Sequence, residues 1–150
     1  MVFAILDKLN YTINIYEDGN LLEISRASSD HGTHVASIIA SNFPNEPEKN
    51  GIAPGAQLIS ITISDSRGSE SMETGSSIMR ACIKAIESKV DIINMSFADE
   101  YSSSHGRILD MMSKVVDKYG IIFVVCAGNS GPAISTVLSS TARSSVYGKI

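Results

Sequence analysis

The sequence lacks the two features that would point to a membrane or to nucleic acid as a partner. No window approaches the roughly 18 consecutive apolar residues of a membrane-spanning helix. Basic residues do not dominate either, because 12 Lys and Arg stand against 16 Asp and Glu, a formal net charge of −4. A mildly acidic surface does not favour phosphates or anionic lipids. We therefore expect partners other than nucleic acid or a membrane.

Cysteines and targeting signals are also scarce. The two cysteines, Cys82 and Cys126, lie in apolar patterns, one on a predicted helix and one on a predicted strand. Two buried free thiols in a reducing compartment are the interpretation we favour, and a single disulfide is the alternative. The N-terminus, MVFAILDK, has neither the basic start nor the apolar length of a signal peptide. These features together predict a cytoplasmic location.

What the chain does contain is typical of one globular domain. It has 150 residues, of which 43% are apolar and 19% charged, enough for a hydrophobic core. We expect a single partial domain in three stretches. These are a strand and hairpin segment over residues 1–26, a core over residues 27–137, and a tail over residues 138–150 that no pattern assigns.

The apolar periodicity predicts an α/β fold with an N-terminal β-hairpin. Asp18-Gly19 separates two strand-like runs, which is a hairpin signal. Three helical stripes follow, beginning at about His31, at about Met72 and at Ile108. Between and after them lie nearly continuous apolar strands with the sequences QLISITI, DIINMS and IIFVVCA. Such alternation predicts a parallel sheet flanked by helices on both faces.

The segment HGTHVA, residues 31–36, places a histidine in the first turn of a predicted helix. His31 could act as a general base, and Gly32 would let a substrate backbone come close. The alternative is a histidine that merely begins a helix. For Asp30, which precedes His31, we expect the role of a helix cap. His34 could pair with His31 on a metal, but the HExxH pattern of zinc peptidases is absent. We expect no metal or other cofactor, and a packing role for His34.

The segment CAGNSGP, residues 126–132, follows the last predicted strand. Functional loops of parallel α/β sheets lie at this end of the strands. The amide of Asn129 could donate to a developing oxyanion, and Gly128 and Gly131 would free the turn. Ordinary turn chemistry is one alternative. A nucleotide-binding loop is another, although the glycine spacing fits neither dinucleotide nor P-loop patterns.

These segments together carry a family resemblance. HGTHVASIIA, GIAPGAQLISI, DIINMSF and CAGNSGP, in this order, resemble the subtilisin-like serine peptidases. LNYTINIYEDGNLLEI, NFPNEPEKNGIAPGAQ and SMETG narrow the resemblance to the tripeptidyl-peptidase II type, over roughly residues 9–137. It implies an incomplete subtilisin-like fold and an exopeptidase that releases tripeptides from free N-termini of peptides. It also implies large homo-oligomers of the full-length form.

The resemblance assigns roles in peptide hydrolysis to residues of this chain. It makes His31 the base of the catalytic triad and Asn129 the oxyanion-hole amide. It further implies a strand that pairs with the substrate backbone and a facing wall of the first specificity pocket. The strand is Ser96, Phe97 and Ala98, and the wall is Ala127 and Gly128.

The resemblance also implies a clamp for the substrate's α-ammonium group, built from two acidic side chains. Glu73, in SMETG, matches one of them. At the second position, where the family pattern has glutamate, this sequence has Asp99, followed by Glu100. Solvated loop charges are the alternative interpretation of all three residues. Two carboxylates near one amine would favour the charged amine and exclude blocked N-termini.

Two parts of the family's triad have no match in this sequence. The family nucleophile lies in a GTSMA-like turn downstream of the asparagine, and no such turn occurs here. The triad aspartate should lie in a DTG-like turn, but Asp7 is followed by Lys8-Leu9. Loss of the serine alone costs about 2 × 10⁶ in the turnover of subtilisin. The sequence therefore predicts an inactive isolated chain, and a non-catalytic module that binds peptide N-termini is the alternative function.

Overall fold

The computed structural model describes residues 11–26, 29–65, 72–73, 75–97, 106–129 and 131–132. These residues fall into two compact units, Met1–Ser60 and Ile61–Ile150. The strands are β1 (Tyr11–Tyr16), β2 (Leu21–Arg26), β3 (Ser64–Asp65), β4 (Met72–Glu73), β5 (Ile92–Met95) and β6 (Ile122–Val125). The α-helices are α1 (His31–Ala40), α2 (Gly75–Glu87) and α3 (Arg107–Tyr119), and short 3₁₀ turns cover Glu17–Gly19 and Pro47–Lys49. In this described part of the chain, no helix has the length and apolar character needed to cross a bilayer.

The predicted N-terminal hairpin is confirmed. Strands β1 and β2 pair antiparallel, in a register that runs from Tyr11 opposite Arg26 to Tyr16 opposite Leu21. Asp18 and Gly19 in the connecting turn have positive φ angles of 52° and 97°, which is the backbone conformation that an Asp-Gly pair tolerates best. The local turn chemistry thus fixes the register of the two strands.

Helix α1 begins at His31, as the sequence predicted, but its cap differs from the prediction. Asp30 occupies the N-cap position with φ −82° and ψ −13°, and its side chain makes no capping hydrogen bond. The backbone N–H of His31 instead donates to the Oγ of Ser29 at 3.2 Å. A capping side chain needs an extended N-cap backbone, and Asp30 is already helical. The predicted role of Asp30 as the cap is therefore wrong.

The chain returns to the end of α1 after the loop over residues 41–51. The backbone N–H of Ile52 donates to the carbonyl of Ile38 at 3.1 Å, and that of Ala53 donates to the carbonyl of Ile39 at 2.7 Å. The last carbonyls of a helix have no partner within the helix and must find one elsewhere. The N–H groups of residues 52 and 53 are these partners, so the returning chain satisfies two carbonyls at the end of α1.

Gly51 permits this return. A Cβ atom at this position would lie 2.7 Å from the backbone nitrogen of Ala40 and 2.8 Å from the carbonyl oxygen of Ser37. Both atoms belong to helix backbone, which cannot move aside as the end of a side chain can. Only glycine fits between the returning chain and the last turn of α1.

In the second unit, α2 and α3 pack against the parallel pair β5–β6 through the predicted helical stripes. The most buried apolar residues are Cys82, Ala85, Met112, Val115 and Ile121. Partly buried side chains from both helices and both strands surround this cluster. Gly120 ends α3 with a left-handed φ of 67°, a conformation that favours glycine. A small core formed with two helices therefore holds the parallel pair in place.

The opposite face of β5–β6 is exposed and, apart from Asn94, apolar. Ile92, Ile122 and Val124 alternate with the inward-facing residues and have about half of their surface exposed, 56%, 58% and 49%. The expectation that helices cover both faces of the sheet thus holds for one face in the residues described here. Continuous apolar strands indicate two faces suited to burial, and the described helices occupy one of them.

Two predicted elements differ in the structure. The sequence predicts a strand over residues 57–63, but this stretch pairs with no strand among the described residues, and its Leu58 and Ile59 are half exposed. The second helix begins at Gly75 and not at Met72, because Met72 and Glu73 are extended and pair with Asp65 and Ser64. Periodicity reports apolar spacing, whereas a strand exists only where a neighbouring strand accepts its hydrogen bonds.

Both cysteines are free, as predicted. Cys82 is buried in the core of the second unit with 4% of its surface exposed, and Cys126 is half-buried. Burial raises the pKa of the Cys82 thiol, because the desolvated thiolate is disfavoured. The thiolate is the reactive form of cysteine, so burial and the raised pKa both slow the reaction of Cys82.

Replacing Gly51 by alanine should destabilise the first unit. We expect a loss of about 1–3 kcal/mol, the usual cost of forcing a methyl group into packed backbone. Urea unfolding measures this loss, and faster hydrogen exchange at the amides of Ile52 and Ala53 locates it. The matched control is Gly55→Ala, since a Cβ at Gly55 meets no atom within 4 Å. Equal unfolding midpoints for the two variants would contradict this assignment.

The two thiols should differ in their rate of alkylation. With iodoacetamide near neutral pH, Cys126 should be modified first, and modification of Cys82 should become appreciable only at higher pH or in denaturant. Peptide mapping by mass spectrometry measures each site separately. A Cys82→Ala variant should lose only the slow phase. Modification of Cys82 at the rate of a free thiol in the folded protein would show that its burial is wrong.

Candidate active site

The parallel pairing of β5 with β6 sets the geometry of the candidate site. The register runs from Ile92 opposite Ile122 to Met95 opposite Val125. One further hydrogen bond extends the pairing, because the backbone N–H of Cys126 donates to the carbonyl of Met95 at 3.4 Å. Both strands therefore end at the same edge, and the residues that follow them leave the sheet side by side. This edge is where open α/β sheets carry their functional loops.

The first segment at this edge follows β5. Ser96 is exposed and Phe97 is half-buried, and neither belongs to a regular strand. The side-chain amide of Asn94 donates to the Oγ of Ser96 at 3.0 Å, which ties the segment to the end of β5. Exposed backbone at the end of a strand can accept an extended peptide as an additional strand. Ala98, the third residue of the predicted substrate-pairing strand, lies outside the described residues.

The second segment follows β6 and carries the candidate oxyanion donor. Ala127 is exposed, Gly128 is half-buried, and Asn129 is exposed in a bend. Gly128 has a φ of 86°, a left-handed conformation that favours glycine. The prediction that glycine frees this turn is confirmed at Gly128. The structure therefore brings the Ser96–Phe97 segment next to the segment that bears the predicted pocket wall and oxyanion amide.

His31 lies in the first turn of α1, in the unit Met1–Ser60, and is exposed. It borders a shallow, open depression together with Asp30, Thr33, His34 and Ser37. Asn129 belongs to the other unit. The convergence of the imidazole and the carboxamide on one scissile bond stays a prediction.

His34 does not take the packing role that we expected. It is exposed, whereas the half-buried residues of α1 are Val35, Ala36, Ile39 and Ala40. His34 is three residues from His31, a spacing that places both on one side of the helix. The apolar stripe of α1 therefore runs beside the two histidines and leaves both in contact with solvent.

Of the predicted amine clamp, the structure describes the backbone position of Glu73. This residue ends β4, opposite Ser64 of β3, and one residue separates it from the start of α2. Asp99 and Glu100 lie outside the described residues, and so does Asp7. Whether these acids form a pair stays a prediction.

Sequence reasoning missed one contact beside this position. The hydroxyl of Ser77, in the first turn of α2, donates to the carbonyl of Ile63 at 2.7 Å. Ser77 lies within a helix and not in a nucleophile elbow, so the sequence does not indicate a catalytic role for it. A serine in a first helical turn is a common donor or cap. That signal could have indicated a structural bond, although not its partner.

Comparison with known proteins identifies the family. Residues 5–147 match the subtilase family, a peptidase family. The chain belongs to the subtilase family. It is 51% identical over 137 residues to tripeptidyl-peptidase 2 of Oryza sativa subsp. japonica, covering 91% of this chain and 10% of the relative. Over 126 residues it is 36% identical to subtilisin E of Bacillus subtilis, covering 82% of this chain and 28% of that relative. The resemblance drawn from the motifs is confirmed.

A solved structure supports the fold of this subtilase chain. The crystal structure of tripeptidyl peptidase 2 matches with a TM-score of 0.74 and 43% sequence identity, over 85% of this chain and 11% of that one. The predicted α/β class with a subtilisin-like fold and an N-terminal hairpin is confirmed. The chain spans about a tenth of the length of the tripeptidyl-peptidase 2 relatives that it matches.

Proposed function

We propose that this chain supplies the base, the oxyanion amide, the pocket wall and the amine clamp of a serine exopeptidase that releases tripeptides from free N-termini of peptides. The observation that carries the proposal is the parallel pairing of β5 with β6, which puts the segment at Ser96 beside the segment at Asn129. The identity of 43–51% to several proteins named tripeptidyl-peptidase 2 supports the substrate class.

The chemistry of this edge is acyl transfer. An extended peptide adds to the backbone after β5 as an extra strand, which fixes its scissile carbonyl in register. His31 removes the proton from a serine hydroxyl as that oxygen attacks the carbonyl carbon. The carbonyl oxygen becomes an oxyanion, and the Asn129 amide donates a hydrogen bond to it. One such donor increases kcat by a factor of about 10²–10³.

The length of the product comes from the amine clamp. Glu73, together with Asp99 or Glu100, binds the α-ammonium group of the substrate. Two opposite unit charges 4 Å apart near a protein surface attract by about 4 kcal/mol. Acetylation removes the positive charge of the substrate's N-terminus, so the carboxylates lose this electrostatic attraction. The clamp therefore selects free N-termini and fixes their distance from the scissile bond.

Hydrolysis further needs a serine nucleophile and a triad aspartate. The sequence has no GTSMA-like turn and no DTG-like turn. We therefore propose that the chain is inactive by itself, because loss of the serine alone costs about 2 × 10⁶ in turnover in subtilisin. The alternative function is a non-catalytic module that binds peptide N-termini. Such a module would use the clamp and the strand edge without cleaving the peptide.

The proposed setting is the cytoplasm. The free thiols of Cys82 and Cys126 are compatible with a reducing compartment. Peptides with a free N-terminus are the proposed partners, and assembly of the full-length form into large homo-oligomers stays a prediction from the resemblance.

The direct test compares a peptide with a free N-terminus and its N-acetylated form. The protein is the complete polypeptide translated from the gene that encodes this chain. We expect release of the N-terminal tripeptide from the free form, and a kcat/KM at least about 10-fold lower for the acetylated form, the minimum effect of losing a charge-assisted hydrogen bond. Equal rates would reject the clamp. Binding without any cleavage would reject the peptidase in favour of the binding module.

The Glu73→Gln variant tests the first carboxylate of the clamp. Glutamine has nearly the same shape without the charge, so kcat/KM for the free peptide should fall about 10- to 100-fold, the effect of one charged hydrogen bond. The rate for the acetylated peptide should not change. Glu48→Gln, in an exposed loop, is the matched control. An unchanged ratio of free to acetylated rates in Glu73→Gln would show that Glu73 does not bind the amine.

A further inference from the structure

We infer that Ser77 is a positioning residue for Glu73 and that its hydroxyl helps to set the length of the released peptide. The inference rests on the proposed role of Glu73 as an amine-binding carboxylate. Ser77 does not contact the substrate in this account. It acts on the backbone that carries Glu73.

The hydroxyl of Ser77 connects α2 to the strand that pairs with Glu73. It donates to the carbonyl of Ile63 at 2.7 Å, in a part-buried position and across 14 residues of sequence. Ile63 immediately precedes Ser64, which is the partner of Glu73 in the β3–β4 ladder. The first turn of α2 and the pairing partner of Glu73 are therefore joined by one side chain.

A second contact holds the same turn from another side. A Cβ atom on Gly75 would lie 2.7 Å from the Cδ1 atom of Ile108, so the start of α2 packs closely on the start of α3. Helix α3 is anchored in the core through Met112 and Val115. The contacts that hold the start of α2 thus include a hydrogen bond to Ile63 and a packing contact to Ile108.

Glu73 belongs to the β3–β4 ladder and lies next to the start of α2. It is followed by a single residue before α2 begins, and it is paired with Ser64 on the other side. β3 and β4 have two residues each, so this ladder alone is a weak support for the strand. The Ser77 hydrogen bond ties the start of α2 to Ile63, and the ladder ties Ser64 to Glu73. These four residues are therefore connected on both sides of the ladder. Removing the bond takes away one of the contacts that hold the backbone on either side of Glu73.

The position of Glu73 matters because the clamp measures distance. An extended peptide advances about 3.3 Å per residue, so tripeptides and tetrapeptides differ by only that length at the clamp. A carboxylate whose backbone can shift by a large part of this distance accepts neighbouring lengths as well. A well-placed Glu73 gives one product length, and a loosely held Glu73 gives several.

The test uses two variants of nearly identical shape, Ser77→Thr and Ser77→Val. Threonine keeps the hydroxyl and valine replaces it with a methyl group. In the complete polypeptide, a peptide of about ten residues is digested, and product lengths are counted by mass spectrometry. The ratio of kcat/KM for free and acetylated N-termini is measured alongside. For a protein that binds without cleaving, the corresponding readout is the ratio of Kd values for a free and an acetylated tripeptide.

We expect Ser77→Thr to keep the tripeptide product and the preference for free N-termini. Ser77→Val should release dipeptides and tetrapeptides as well, and its preference should fall about 2- to 10-fold, the effect of one neutral hydrogen bond. Its rate on the acetylated peptide should stay the same, which a general loss of folded enzyme would not allow. Thermal unfolding of both variants separates the two effects.

The inference is overturned if Ser77→Val keeps both the tripeptide product and the preference, whatever its stability. Glu73→Gln separates this failure from failure of the proposed function. If Glu73→Gln loses the preference and Ser77→Val keeps it, only the role of Ser77 is wrong. If Glu73→Gln also keeps the preference, the amine clamp itself is wrong.

Discussion

The parallel hydrogen bonds between β5 and β6 are the interaction on which the rest of the site depends. They end both strands at one edge and so bring the backbone after Met95 next to the loop that carries Asn129. These strands have four residues each, and a pair this short is not stable by itself. The helices α2 and α3 supply the burial that holds it, with Met112 and Val115 almost completely enclosed. The hydrophobic core therefore stabilises the strand pair that positions the site.

The site combines backbone that is fixed in strands with irregular backbone that follows the strand ends. The strand ends give fixed positions, and the residues after them are exposed or half-buried and lie outside regular strands. Gly128 provides the sharp change of direction with its positive φ. At the other end of the proposed substrate, Glu73 is held by a two-residue ladder and by the first turn of α2. The proposed measurement of peptide length needs both ends of the substrate fixed relative to one core, and α2 belongs to that core.

Features that local chemistry decides could be predicted from the sequence. The Asp18-Gly19 turn, the end of α3 at Gly120 and the freedom of Gly128 each follow from which residues tolerate a positive φ. The order of motifs gave the family and hence the subtilisin-like fold. Features that depend on a distant partner could not be predicted. The extended pairing of Met72, the replacement of Asp30 by Ser29 as hydrogen-bond acceptor and the contact from Ser77 to Ile63 each require the folded neighbour.

The most direct test of the account is the effect of Asn129→Ala on hydrolysis by the complete polypeptide. Alanine removes the amide donor and leaves the strand edge and the clamp in place. For a peptide substrate with a free N-terminus, we predict that kcat falls about 10²–10³-fold while KM changes little. The reason is that an oxyanion donor acts in the transition state. An unchanged kcat, or a loss that lies wholly in KM, would contradict the assignment of this edge as the place where the peptide bond is broken.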